Sequence, residues 1–313
     1  MEFKLITSEF EKGLFVNEWE DAWEDAFDRK LDSQFSSWIF NSRNNMYAIF
    51  EEDKIVAGYC LLNNKVVYNG NIVDGALCNN VFVRPSYQGL NLFVKLGRYA
   101  LQKAAEQGIK IAIGMPNKNA VPGHRRVGWT FLNQVYFLEK SIVPCSSETI
   151  LTDNIKVLNR DNYHMYEDQL EMFSMNISSQ RTFSVLKDKN YFKWRYVERP
   201  SVNYKIFTFI ENDTVLGYVV YKFYEVSNRL HIVDIEAANE EVFYALLKLT
   251  DSFKESFNLV NAWSSSIYHN YFLKAGFSLS TEYNNLIAIR PQVKEPVLLG
   301  DKVNIVLGDN EVF

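Results

Sequence analysis

The sequence predicts an α/β protein made of two similar units, each a mixed, largely antiparallel central sheet flanked by helices. Three observations carry this expectation. Hairpins of matching layout occur in both halves of the 313-residue chain. In each half a strand later runs straight into a helix through a short turn. Each half then has a Gly-capped helix leading into an aromatic strand, at Gly128-Trp129 and again at Gly276-Phe277.

Taken in order, "SSWIF" precedes "MYAIFEEDKIVAGYCLL" in the first half, and "FKWRY" precedes "YKIFTFIENDTVLGYVVY" in the second. Both read as a Trp-bearing aromatic segment, a strand, an acidic turn and a second strand. The turns Glu51-Glu52-Asp53-Lys54 and Glu211-Asn212-Asp213-Thr214 suit hairpins between runs of alternating apolar residues. Gly58-Tyr59 and Gly217-Tyr218 occupy matching places. Recurrence of the same features in the same order points to a duplicated unit, with domains at 1–140 and 155–313. The polar stretch between them, "SIVPCSSETILTDN", has the composition of a linker.

Hydrophobic residues make up 47% of the chain and charged residues 23%, which describes a folded domain and not a disordered one. A net charge of -5 argues against a nucleic-acid partner, because the phosphate backbone selects basic surfaces. Cys60, Cys78 and Cys145 form no even set and no CxxC spacing, so neither a disulfide framework nor a metal site is expected. No apolar run reaches the roughly 18 residues of a membrane span. The first residues, MEFKLITSEFEKG, lack a basic segment followed by an apolar one, and the expectation is a cytoplasmic protein.

The halves diverge at the strand-to-helix junction. In "VFVRPSYQGLNLFVKLGRYAL", the strand Val81-Phe82-Val83 meets Arg84-Pro85, turns through Tyr87-Gln88-Gly89 and opens a helix. Unpaired amides and the partial positive charge of a helix N-terminus suit an anionic group there. The spacing of Leu92, Phe93, Leu96, Ala100 and Ala104 predicts a core-facing helix ending near Gly108. The second half instead passes through Ala237-Ala238-Asn239-Glu240-Glu241, whose carboxylates cap a helix and repel phosphate.

With these residues in place, the first half resembles the GNAT superfamily of acyl-CoA N-acyltransferases, and the second half looks like a degenerate copy. The resemblance covers roughly residues 1 to 140. It rests on the strand ending Val83-Arg84-Pro85, the Tyr87-Gln88-Gly89-Leu90-Asn91-Leu92-Phe93 turn, the strand to Gly114, Pro116-Asn117 and Gly128-Trp129. The family loop reads Q/R-x-x-G-x-G/A. Gln88 fits it, Asn91 stands where the first Gly belongs, and Phe93 replaces the last small residue. Asn tolerates left-handed backbone geometry, so the turn can still form.

The resemblance implies acetyl-CoA as donor substrate and no metal. It implies that Val81, Phe82 and Val83 offer backbone groups to the pantetheine arm. Amides of Gly89, Leu90, Asn91, Leu92 and Phe93 would hold the diphosphate beside Gln88. Asn117 matches the family Asn that meets pantetheine, although Pro-Asn is also an ordinary helix start. Lys95 and Arg98 are candidate phosphate contacts or solvated charges. Acyl transfer to an amine needs a base, an oxyanion donor and a proton for the thiolate. His124 stands where the family often has a proton-donating Tyr, with Tyr136 as another donor. Asp74, or a water held by Asn80, is the candidate base, since alternation places Asp74, Cys78, Asn80 and Phe82 on one face.

In the second half, Trp194, Arg195, Tyr196, Trp263, Tyr268, His269 and Tyr271 supply either core, a cover for the substrate or a homodimer face. Asp309 and Glu311 in the tail are candidates to meet a cationic amine. The expected activity is direct N-acetylation of a small-molecule amine, such as an amino sugar. A non-catalytic binding module and a tandem aminoacyl transferase are the alternatives.

Overall fold

The computed structural model describes residues 1–40, 43–132, 135–142, 153–253, 257–265, 267–280, 287–291 and 302–310. Most of the linker, Cys145 and Glu311 lie outside them. In chain order the first elements are β1 (Glu2–Ile6), α1 (Glu9–Phe27), α2 (Ser33–Ile39), β2 (Asn44–Glu51), β3 (Lys54–Tyr68) and β4 (Asn71–Val83). They are followed by α3 (Leu92–Glu106), β5 (Ile111–Gly114), α4 (Val121–Val127), β6 (Thr130–Leu132) and β7 (Tyr136–Ser141). Then come β8 (Ile155–Leu158), α5 (Glu167–Ser178), β9 (Phe183–Val185), α6 (Lys189–Phe192), β10 (Tyr204–Glu211), β11 (Thr214–Tyr224) and β12 (Arg229–Ala237). The chain closes with α7 (Glu240–Lys248), β13 (Leu259–Ser264), α8 (His269–Lys274), β14 (Ser278–Leu279), β15 (Ile287–Pro291) and β16 (Val303–Asn304).

Local chemistry explains the boundaries. α1 opens on a capping box in which the Glu11 amide donates to the Ser8 hydroxyl at 3.2 Å and the Glu11 carboxylate accepts from the Ser8 amide. The helix stops at Asp28, which is left-handed at φ 51°. The two acidic turns are hairpins as expected, pairing Glu51 with Lys54 and Glu211 with Thr214. α3 buries Leu92, Leu96, Ala100 and Ala104 on one face and ends at Gly108, with φ 91°. Burying each leucine stabilises the fold by about 1.5–3 kcal/mol.

The chain folds as two compact units. One takes residues 1–66 and 73–132 together with β15. The other takes 67–72, the span from β7 to β14, and β16 with the tail to Asn310. The first sheet runs β1-β2-β3-β4-β5-β15-β6, and the second runs β14-β7-β13-β12-β11-β10-β8. Along each of these paths one internal pair is parallel, β4 with β5 and β12 with β13, and β9 and β16 add a further parallel pair to the first sheet. The pairs β1-β2, β2-β3, β5-β15 and β15-β6, and β8-β10, β10-β11, β11-β12, β13-β7 and β7-β14, are antiparallel.

The units are not the contiguous spans 1–140 and 155–313. β7, drawn from the first half, sits beside β13, while β15, drawn from the second, sits beside β5. β7 is thus lent by the first half to the second sheet, and β15 by the second half to the first. Hydrophobic alternation cannot report this, because either sheet satisfies the same strand pattern.

Candidate functional site

In the first unit β4 and β5 pair from Gly75–Ile111 to Cys78–Gly114 and then part. β4 changes phase just past this point. Asn80 is left-handed, at φ 46°, and across it the side-chain alternation advances by one position, as at a bulge. Ala76 and Cys78 before it, and Val81 and Val83 after it, join the core that packs under α3. Phe82 turns to the other face, edge-on to Trp19 of α1 with ring centres 5.0 Å apart. The alternation that placed Cys78, Asn80 and Phe82 on one face is thus corrected, since an extra residue reverses the phase.

Beyond the fork lies a cleft of about 570 Å³. Val81, Phe82 and Val83 form one wall. Gln88, Gly89, Asn91, Leu92 and Phe93 form the next, and Asn117, Ala120, Gly123 and Arg126 face it from the β5 side. Ala26 and Phe27 of α1 supply the rim. Leu90 is half exposed and does not line the cleft. Arg84 fixes α1 against this wall. Its guanidinium donates to the Ile55 carbonyl at 2.7 Å and reaches Glu18, Asp21 and Asp25 at 2.9, 2.6 and 3.2 Å.

The mouth is shaped by backbone. Pro85–Tyr87 forms one tight turn, pinned by the Tyr87 hydroxyl donating to Glu51 at 2.5 Å. Gly89 and Asn91 are both left-handed, at φ 83° and 62°. Asn91 makes no cap bond to its helix, and its side-chain oxygen accepts instead from Arg126 Nη2. The Lys95 amide donates to the Asn91 carbonyl at 3.1 Å, so the amides of Leu92, Phe93 and Val94 precede the first helical bond. All three residues line the cleft. Phe93 does not plug it. Its ring lies 5.1 Å from that of His124 and packs on Gly123, where an added Cβ would come within 2.5 Å of the ring.

The catalytic candidates are dispersed. His124 is 3% exposed, walled by Phe93, Trp129 and Tyr59, and is not in the cleft lining. Burial lowers its pKa to about 4, which leaves it neutral at pH 7 and a poor proton donor. Asp74 is exposed at the far end of β4, ion-paired to Lys65 at 2.6 Å and roughly 20 Å from Val81 by strand rise. Asn80 contributes its backbone bend, while its amide donates to Asn79 at 3.1 Å. Asn117 caps the turn into α4, accepting from the Ala120 amide at 3.0 Å, and also lines the cleft. Tyr136 belongs to the second unit, where it packs on His269.

The second unit repeats the fork and closes it. β12 and β13 part after Ile232–Ala262. Three residues past the last pair, where the first unit has Asn117, stands Ser265, which accepts from the Ile305 amide at 3.1 Å and donates to Asn304 at 3.3 Å. The Asn304 amide donates to Glu236 on the opposite arm, and Gly308 lies against the Val233 carbonyl. Tyr268 accepts from the Ala237 amide at 3.0 Å and donates to Glu236 at 2.8 Å, with Arg181 joining both. The tail therefore fills the fork. Asp309 is buried and paired with Lys187, so it does not await an amine. Trp194, Tyr196, Trp263 and Tyr268 are core, and Arg195 is buried on the carbonyls of Gly308 and Asn310 at 2.8 and 2.9 Å.

The residue that sequence reasoning missed is Arg126. It sits in a run of basic side chains that reads as solvated surface, and its partner Asn91 is remote in sequence. Among the described residues no group of His, Cys, Asp and Glu is placed to hold a metal, and no helix is long and apolar enough to cross a membrane.

A fork between two parallel strands, with a helix N-terminus at its mouth, is the layout of the N-acyltransferase fold. Residues 8–132 match the acetyltransferase (GNAT) domain family. The whole chain is also similar to solved structures. A GCN5-related N-acetyltransferase from Anabaena variabilis superposes with TM-score 0.72 at 14% identity, over 93% of this chain and 73% of that one. One from Kribbella flavida gives 0.67 at 15%, over 93% and 71%. Eis1 from Mycobacterium abscessus gives 0.64 at 15%, over 93% and 74%. At these identities the likeness establishes the two-sheet fold. A comparison with curated protein sequences returns no match.

Proposed function

We propose that the first unit binds acetyl-CoA and transfers its acetyl group directly to a primary amine of a small molecule, with amino sugars the first class to try. The observation that carries this reading is the open fork, with Val81–Val83 on one arm, Asn117 on the other, and unbonded α3 amides at its mouth. The β4 arm offers main-chain groups for the pantetheine amides, and the Leu92–Val94 amides suit a diphosphate. The amine attacks the thioester carbonyl, a β4 amide near the bulge takes the oxyanion, and the thiolate leaves. With His124 buried, the departing thiolate takes its proton from solvent or from the acceptor's own ammonium.

Calorimetric titration with CoA tests the reading: saturable binding is expected, and silence at millimolar CoA overturns it. Thiol release from acetyl-CoA across amino sugars, amino acids and polyamines then identifies the acceptor. The dispersal of Asp74, Asn80 and His124 favours a second reading, a module that binds the carrier without catalysis. That module would bind CoA yet release no thiol with any amine.

A further inference from the structure

The family loop places glycine where this chain has Asn91, and the loop nonetheless keeps its left-handed turn. What holds it is on α4. Arg126 Nη2 donates to the Asn91 side-chain oxygen, and Arg98 Nη2 donates to the Arg126 carbonyl at 2.9 Å. The contact draws Asn91 away from capping its own helix, which keeps the first-turn amides open. Arg98, which the sequence offered as a phosphate ligand, is thereby spent on Arg126. Arg126 itself lines the cleft with Gly89, Asn91 and Phe93, and further guanidinium hydrogens remain to it after the Asn91 bond.

We propose that Arg126 is the side-chain ligand of the carrier's diphosphate, held over the α3 amides by its bond to Asn91. This rests on the reading of the cleft as an acyl-CoA site. A planar guanidinium with several donors matches a diphosphate, and it supplies the positive charge that the backbone turn provides only as partial charge. The assignment makes Arg126 specific for one part of the carrier. Pantetheine, which occupies the β4 arm and has no phosphate, should not depend on it.

The test is calorimetric titration of the full chain with CoA and, separately, with pantetheine, in the wild type and in Arg126→Gln and Arg126→Lys. Arg126→Gln is expected to weaken CoA roughly 10- to 100-fold, the value of a charge-assisted hydrogen bond, and to leave pantetheine unchanged. Arg126→Lys keeps the charge without the fork and is expected to fall between. Two results overturn the inference: CoA affinity unchanged in Arg126→Gln, or equal losses for CoA and pantetheine, which would make Arg126 a support of the cleft wall. A wild type that binds neither compound instead removes the function on which the inference rests.

Discussion

The two forks of this chain start from the same parts and end differently. Each is a parallel pair that parts after four residues, with a bulge on its longer strand and an Asn before the following helix. In the first, Asn91 is left-handed and bonded to Arg126, so the helix amides stay open. In the second, Asn239 is extended, at φ -153°, and its side chain accepts from the Val242 amide at 2.9 Å. That helix caps itself. On the long arm, Val83 lines a cleft while Ala237 gives its amide to Tyr268. What distinguishes the open fork from the filled one is therefore where a few polar groups find their partners, and not the strands.

The comparison is broken most decisively at Asn91. Replacing it with Glu removes the Arg126 acceptor geometry and sets a carboxylate at the anion mouth. CoA affinity should fall more than about 100-fold, while the fold, losing only the roughly 1 kcal/mol by which Glu is less suited than Asn to this exposed left-handed position, stays intact by thermal melting. Undiminished binding by calorimetry would show that the mouth does not take the diphosphate. Next comes Tyr268→Phe in the second unit. It leaves the Ala237 amide and Arg181 without their hydroxyl partner, and urea denaturation should show a loss of about 2–3 kcal/mol. The variant should still bind one CoA per chain. A second equivalent would mean that Tyr268 alone had kept the second fork shut.

Much of this contrast was legible in the sequence, since the hairpins, the Gly caps and the absence of a phosphate turn after Ala237 are all local patterns. The exchange of β7 and β15 was not, because strand pattern encodes a face and leaves the neighbour open. Nor were the Arg126–Asn91 bond and the buried tail, which join residues far apart in the chain. The bulge at Asn80 was hidden for another reason. Asn-Asn within an apolar run reads as alternation unless one asks which residue accepts a positive φ.

His124 sharpens the comparison. Four residues before the Gly that ends α4 stands His124, and four before the Gly that ends α8 stands Phe272, buried among Phe243 and Phe277. The two units thus use the same position as core. His124→Phe should fold with wild-type stability at pH 7 and retain any acetyl transfer. A loss of kcat beyond about 100-fold would restore a proton-transfer role. Acid behaviour gives a second measure. The folded pKa near 4 lies below the unfolded 6.5, so the neutral ring stabilises the fold above pH 6.5 and this stability is lost as pH falls toward 4. The wild type should lose roughly 2 kcal/mol from this residue between pH 7 and pH 4.5, and the Phe variant should be spared that share. His231, lowered in the same direction, remains in both proteins as an internal reference.

The smallest effect is expected at Asp74, and its smallness is informative. The first fork's paired end at Gly75–Ile111 lies a strand-length from the cleft, and Asp74 stands just outside it with Lys65 as partner. Both side chains are about half exposed, so water screens the pair and each long side chain loses freedom to make it. Asp74→Ala should therefore change stability by less than about 0.5 kcal/mol and leave CoA affinity and turnover alone. A base acting in catalysis would show otherwise, as a fall in kcat steepest at low pH, where the amine is most in need of deprotonation. An unchanged profile leaves the open arm of the fork, with its main-chain groups and Arg126, as the part of the first unit on which the chemistry depends.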